Sequence, residues 1–297
     1  MRKGSISYWG CVTKTSIMII GIVSACGVSA GSDYLSDRKA ALALAGGGTN
    51  EAALSMFVRM AANTSSDAQK SDALEQAAML AHTLKQDDRA MALARQIPLA
   101  PLSKTVQMRF MNDAHKLGEI VDAFKGENIA AWPESIAVEA YHLRGKAYIQ
   151  TKDGKADAVA DLQKAIQLTF RPEILTALAN TCVSLLKDDD LGLEAYRRAL
   201  QFDRMYSGCI AAAGAAGILA RQGKFDEARM ELEKINLDEV ANQPAYSARV
   251  LAAYGDILVK QGRKAEAIAK YREAAGLKDL DASQKAAYEK AIKDLAP

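Results

Sequence analysis

Three histidines, His82, His115 and His142, are the side chains best suited to chemistry in a chain otherwise poor in reactive groups. His82 precedes Ala90 by eight positions, and His115 precedes Ala123 by the same interval. That spacing predicts equivalent places on neighbouring helices, whose axes stand roughly 10 Å apart. Zinc needs three or four ligands, and His142 falls at a different position. No Cys cluster or His-Glu-x-x-His completes a set, so no metal is expected and the histidines are read as packing or partner-facing. The acidic run Asp188-Asp189-Asp190 lacks the alternating acids, central Gly and terminal Glu of a calcium loop. Gly46-Gly47-Gly48-Thr49 lacks the following Lys-Ser/Thr pair that cradles phosphate. No nucleophile–base pair stands out. Neither catalysis nor a cofactor is expected.

The elements that carry these residues follow from composition. The chain has 297 residues, of which 49% are hydrophobic but only 6% aromatic. Much of the apolar share is Ala, the best helix former. Six Pro and no sustained β-branched alternation predict an all-α fold. The formal charge is +2. Arg2, Lys3 and Lys14 account for the excess, since without them 35 basic residues face 36 acidic ones. No single-sign field remains to steer a nucleic acid.

Residues 1–30 read as a secretory leader. A basic start precedes the apolar run Ile17-Met18-Ile19-Ile20-Gly21-Ile22-Val23, too short to span a bilayer. Two cleavage sites compete. Val23-Ser24-Ala25-Cys26 resembles a bacterial lipobox, in which Cys26 becomes a lipidated N-terminus. Val28-Ser29-Ala30 offers the small residues of ordinary signal cleavage. A Cys directly after a small pair at the end of an apolar core favours the first. Cys182 and Cys209, the two remaining cysteines beyond the leader, are predicted to lie ~13 Å apart along roughly parallel helices. That is too far for a disulfide, so both are read as buried thiols.

From residue 31 to 297 the sequence repeats. Gly223-Lys224-Phe225-Asp226-Glu227-Ala228 returns as Gly262-Arg263-Lys264-Ala265-Glu266-Ala267, with an echo at Gly154 to Ala158. A small residue recurs at Ala52, Ala90, Ala123, Ala158, Gly192, Ala228 and Ala267, with gaps of 38, 33, 35, 34, 36 and 39. Such a period is the signature of a helical repeat array. Each unit places a Gly turn between two helices and a small residue where they cross. Pro98 and Pro101 are read as a boundary, with helices near 103–116 and 119–126. Residues 283–295 read as a capping helix. No domain boundary is visible within 33–295.

These residues resemble the tetratricopeptide repeat family, most clearly over 135–297. Tyr254-Gly255, Leu258, Gly262, Ala267, Tyr271 and Ala274 carry that family's spacing, and Gly223, Ala228 and Leu232 repeat it. The resemblance implies a right-handed superhelical solenoid of about seven helix–turn–helix units. It also implies that a protein or peptide partner lies in a concave groove lined by the first helix of each unit. Carried over by register, that lining comprises His82, His115, His142, Lys146 and Gln150, then Thr181, Ser184 and Leu185. It continues with Ala213, Gly217, Ala220 and Arg221, and ends with Arg249, Ala252, Asp256 and Lys260. The Lys and Asn pattern by which some members clamp a C-terminal carboxylate is not reproduced. The expectation is a non-catalytic scaffold on the periplasmic side of a bacterial envelope, an outer-membrane lipoprotein held through Cys26. The alternatives are a soluble periplasmic or secreted binding module, or a non-catalytic subunit of an envelope enzyme.

Overall fold

Ala-rich segments with apolar residues every three or four positions bury one stripe and leave the rest to solvent. In the computed structural model, which describes residues 32–296, they form fifteen α-helices with no strand among the described residues. The leader, with Cys26 and both cleavage sites, lies outside the described residues.

The helices group into two compact units, divided between Ala147 and Tyr148. The sequence pattern does not mark that division. The first unit holds α1 (Ser32–Gly46), α2 (Asn50–Asn63), α3 (Asp67–Thr83), α4 (Asp87–Arg95), α5 (Ala100–Asp113), α6 (Leu117–Phe124) and most of α7 (Glu134–Tyr148). The second holds α8 (Lys155–Leu168), α9 (Pro172–Thr181), α10 (Asp189–Phe202) and α11 (Tyr206–Arg221). It continues with α12 (Phe225–Leu232), α13 (Pro244–Lys260), α14 (Lys264–Ala275) and α15 (Ala282–Leu295). Helices pack in consecutive pairs, an A helix followed by a B helix. Within each unit A helices also touch the next A helix: α1 with α3 and α3 with α5 in the first, α9 with α11 and α11 with α13 in the second.

The corners between A and B helices obey one rule. The residue five positions before the fourth residue of helix B takes a left-handed backbone in six of seven units: Gly48, Lys85, His115, Lys187, Gly223 and Gly262, with φ from 57° to 82°. At every one of these except Lys187 its N–H donates three residues back, and the next N–H donates five back. Gly223 thus bonds the Ala220 carbonyl at 3.3 Å and Lys224 bonds that of Leu219 at 2.9 Å. This satisfies the last carbonyls of helix A. That next residue is also the cap of helix B, and its carbonyl accepts the first intrahelical bond. The seven donors are Ala53 (3.1 Å), Ala90 (2.8 Å), Ile120 (3.4 Å), Ala158 (2.8 Å), Gly192 (3.1 Å), Ala228 (3.0 Å) and Ala267 (3.0 Å).

This rule corrects the register in two units. Ala52 and Ala123 are exposed, whereas Ala53 and Ile120 are fully buried at the helix crossing. In the third unit a large side chain stands where the others carry a small one, so counting alanines lands three residues late. The same error displaces the flanking helices. Pro101 does not end a helix but sits in the first turn of α5, where its missing N–H costs nothing. Thr49 stands at a cap position, but its hydroxyl donates back to the Leu44 carbonyl at 2.8 Å.

The fifth corner carries one extra residue. After α9 the chain continues as a π-helical segment, Cys182–Leu186, and Asp188 reaches six residues back to the Cys182 carbonyl at 2.9 Å. Small residues elsewhere mark close approach. A Cβ on Gly214 would lie 2.3 Å from the Tyr196 ring, and one on Gly255 would lie 2.8 Å from that of Tyr271. Ala211, Ala212, Ala215 and Ala216 are fully buried. Most of the small-residue run in α11 therefore tightens helix packing. At the C-terminal end, α15 lays Tyr288, Ala291, Ile292 and Leu295 against Ala252, Ala267 and Tyr271. Cys182 and Cys209 are free and buried.

Candidate functional site: a polar band on the A helices

In the first unit the A helices carry charged residues at helical spacing, which puts each set on one face. Tyr34 and Arg38 lie on α1, and Asp72, Glu75, Met79 and His82 on α3. Arg109 and Asp113 lie on α5, and Glu139, His142 and Lys146 on α7. Because successive A helices stand side by side, these stripes meet. Arg38 donates to both oxygens of Asp72 at 2.8 and 3.2 Å, and the Tyr34 hydroxyl donates to the same carboxylate at 2.7 Å. Arg109 forks onto Glu139 with two bonds of 2.7 Å, and it also stands 3.5 Å from Glu75. His82 stacks on Phe110 at 4.8 Å, with Asp87 at 2.8 Å and Asp113 at 3.5 Å.

The electrostatics of the band follow from burial and pairing. Burial alone would raise the Glu139 carboxyl, but the Arg109 guanidinium overrides it and the net direction is down. Glu75 goes the other way. Burial pushes it up to about 7, Arg109 opposes, and the nearby Glu139 and Asp72 charges add to the rise. Its Oε2 is buried with no hydrogen-bond partner. His142 is pushed down to about 4 by burial and then by Lys146, with Glu139 opposing. Burial also lowers Lys146, which the Asp113 charge partly offsets.

The residues anticipated from sequence distribute unevenly. His82, His142 and Lys146 lie on the band. His115 does not: it is the exposed left-handed residue of its corner, φ 57°, equivalent to Lys85. The position matching His82 in the next unit is Asn112. Gln150 is exposed in the turn after α7. In the second unit Thr181, Ala220 and Ala252 are buried between helices, and the Thr181 hydroxyl bonds the Ala177 carbonyl at 3.1 Å. Ser184 and Leu185 are exposed in the π segment, where Ser184 donates to the Asn180 carbonyl. Ala213, Gly217 and Arg249 are half-buried. Arg221 is paired with Asp189 at 2.7 Å, and Lys260 is exposed. Asp256 accepts the Tyr271 hydroxyl at 2.5 Å. Partial burial raises its carboxyl, against the pull of Tyr271 and Lys260.

Arg38, Asp72, Glu75, Arg109 and Glu139 escaped the sequence reading. Their signal was present as charged residues three or four apart within otherwise apolar A helices. The second unit adds an exposed pair of rings: Phe170 and Phe202 meet edge to face at 5.6 Å, with Arg198 over both at 5.4 and 5.8 Å. Among the described residues no group of three or more His, Cys, Asp or Glu is placed to hold a metal ion. No helix among them is long and apolar enough to cross a membrane.

An all-helical array of consecutive pairs, with A helices side by side, defines the class as a helical-repeat protein. Residues 248–279, which span most of α13, its corner and all of α14, match the family model of the tetratricopeptide repeat. A search of curated protein sequences finds no match. The tetratricopeptide match supports a scaffold for protein–protein interaction.

Proposed function

We propose that the protein is an exported, lipid-anchored scaffold of a bacterial envelope, held through Cys26 and without catalytic activity, whose A-helix faces receive a segment of a protein partner. The single observation carrying this reading is the side-by-side A helices within each unit, whose adjoining faces offer a repeated surface for an extended or helical segment. The leader sequence supports export, and Cys26 after Val23-Ser24-Ala25 supports the anchor.

Two measurements test it. Mass spectrometry of the mature N-terminus is expected to find an acylated Cys26, and a free Gly31 would refute the anchor. Affinity capture from membranes is expected to return a protein partner that is lost with the double variant Arg221→Glu and Lys260→Glu. Arg221 pairs with Asp189 only at the surface, where such a pair contributes about 0–1 kcal/mol, so the variant should stay folded. Unchanged capture by the folded double variant would overturn the groove reading in the second unit.

A further inference from the structure

The large apolar side chains left exposed are not scattered evenly. Of the eight among the described residues, four belong to one edge of the second unit: Phe170, Phe202, Met205 and Tyr206. Phe170 stands in the connection from α8 to α9, Phe202 ends α10, and Met205 and Tyr206 lead into α11. All four thus sit where a B helix hands over to the next A helix. Ring contacts join these connections across repeats. Phe170 meets Phe202 edge to face at 5.6 Å, and Tyr206 meets Tyr246, in the first turn of α13, at 5.3 Å.

Arg198 holds the rings in place. Its guanidinium lies over both phenylalanines, and it donates to the Thr169 carbonyl at 3.4 Å and the Gln167 carbonyl at 3.2 Å. The rings still project, with Phe170 61% and Phe202 44% exposed. Among the described residues neither Arg198 nor the exposed Arg204 pairs with a carboxylate. The nearby acids are engaged elsewhere: Glu173 takes Arg171, and Asp203 accepts the N–H groups of Met205, Ser207 and Gly208.

These features constrain what can cover the edge. Projecting rings enter a partner rather than receive one, which disfavours a peptide laid in a groove. A two-fold copy would bring the same two arginines from both chains to one interface, with no acid to answer them. An anionic bilayer meets both demands. Its interface takes up aromatic rings, and its headgroups pair with arginines whose stems lie against the apolar layer.

We propose that this edge docks peripherally on an anionic phospholipid surface, with Phe170, Phe202 and Tyr206 entering the interface and Arg198 and Arg204 meeting phosphate groups. This goes beyond the scaffold reading, which holds the membrane through Cys26 alone, and it does not depend on that anchor.

The test uses the full chain as Cys26→Ser, so that no acyl chain contributes. In a Trp9→Phe, Trp132→Phe background, a single tryptophan is introduced by Phe170→Trp on the edge or by Gln222→Trp at the far end of α11. The 16 residues of that helix separate the two ends by about 24 Å. Vesicles of phosphatidylcholine and phosphatidylglycerol with brominated acyl chains are expected to quench Phe170→Trp and to leave Gln222→Trp unquenched. Sedimentation with the same vesicles, using both native tryptophans, is expected to show Arg204→Gln binding about fivefold more weakly, the worth of one charge at such a surface. Lys224→Gln removes the same charge at the opposite corner and should change nothing.

Equal quenching at the two positions would overturn the proposal. So would equal binding to vesicles of phosphatidylcholine alone, or equal weakening by Arg204→Gln and Lys224→Gln. If vesicles quench neither position and Phe170→Ser instead loses a partner in membrane capture, the edge is a protein contact and the proposal fails. None of these results bears on acylation of Cys26 or on the Arg221 and Lys260 variant, so the scaffold reading is judged separately.

Discussion

Glu75 should make the first unit less stable as pH rises. Its carboxyl goes from an ordinary 4.5 to about 7 in the folded chain. The folded state therefore holds the proton more tightly than the unfolded one, and stability falls as pH climbs through that window. At 1.36 kcal/mol per unit, Glu75 withdraws about 2.5 kcal/mol between pH 5 and pH 8. His142 acts in the opposite sense. Its folded value of about 4 lies below the ordinary 6.5, so its contribution rises with pH between those limits. The two slopes oppose each other from about pH 4.5 to 6.5, and together they leave the native protein with a shallow profile there. Glu75→Gln keeps the shape and removes the ionisable group. Near pH 5 the variant should match the native protein to within about 1 kcal/mol. At pH 8 it should be the more stable by about 2.5 kcal/mol more than at pH 5. Trp132 packs on the core of the first unit and reports its unfolding. Urea melts followed by its fluorescence, in a Trp9→Phe background, supply the measurement. A gap between the two pH values below about 1 kcal/mol, or one of opposite sign, would refute the reasoning. It would mean that the buried Oε2 is satisfied by a group that compensates its charge.

Three further outcomes follow from packing and backbone. His115→Gly relieves a left-handed residue and should raise stability by about 0.5–1 kcal/mol in the same melts, whereas Gly223→Ala at the equivalent corner should lower it. Gly214→Ala drives a methyl to 2.3 Å from the Tyr196 ring and should cost about 1–3 kcal/mol. Burial pushes the Cys182 thiol up to about 12 and that of Cys209 up to about 11. Neither should react with a thiol reagent at pH 8 in the folded protein, and both should react at once in denaturant.

The helical-repeat architecture was readable because three corners, at Gly48, Gly223 and Gly262, use glycine. Gly223 and Gly262 announce a left-handed turn, and the alanines five residues later stay in step. Where Lys85, His115 and Lys187 do the same work, residue type conceals the turn, since only the backbone reveals it. The third unit combines this with Ile120 at the crossing, and there the reading slipped by three residues. That slip is what paired His115 with His82. The π segment hides a residue in the same way: with it removed, Asn180 and Asp256 become equivalent, and each accepts a tyrosine hydroxyl, from Tyr196 and Tyr271 respectively. The polar band was hidden for a different reason. Arg38 and Asp72 are 34 residues apart, and Arg109 and Glu139 are 30. Within its own helix each looks like a charge misplaced on an apolar stripe. It becomes half of a pair only when the A helices are set side by side, and that requires the register to be right first. Correct register thus separates His115, an exposed corner residue, from His82, which lies on the band between Asp87 and Asp113.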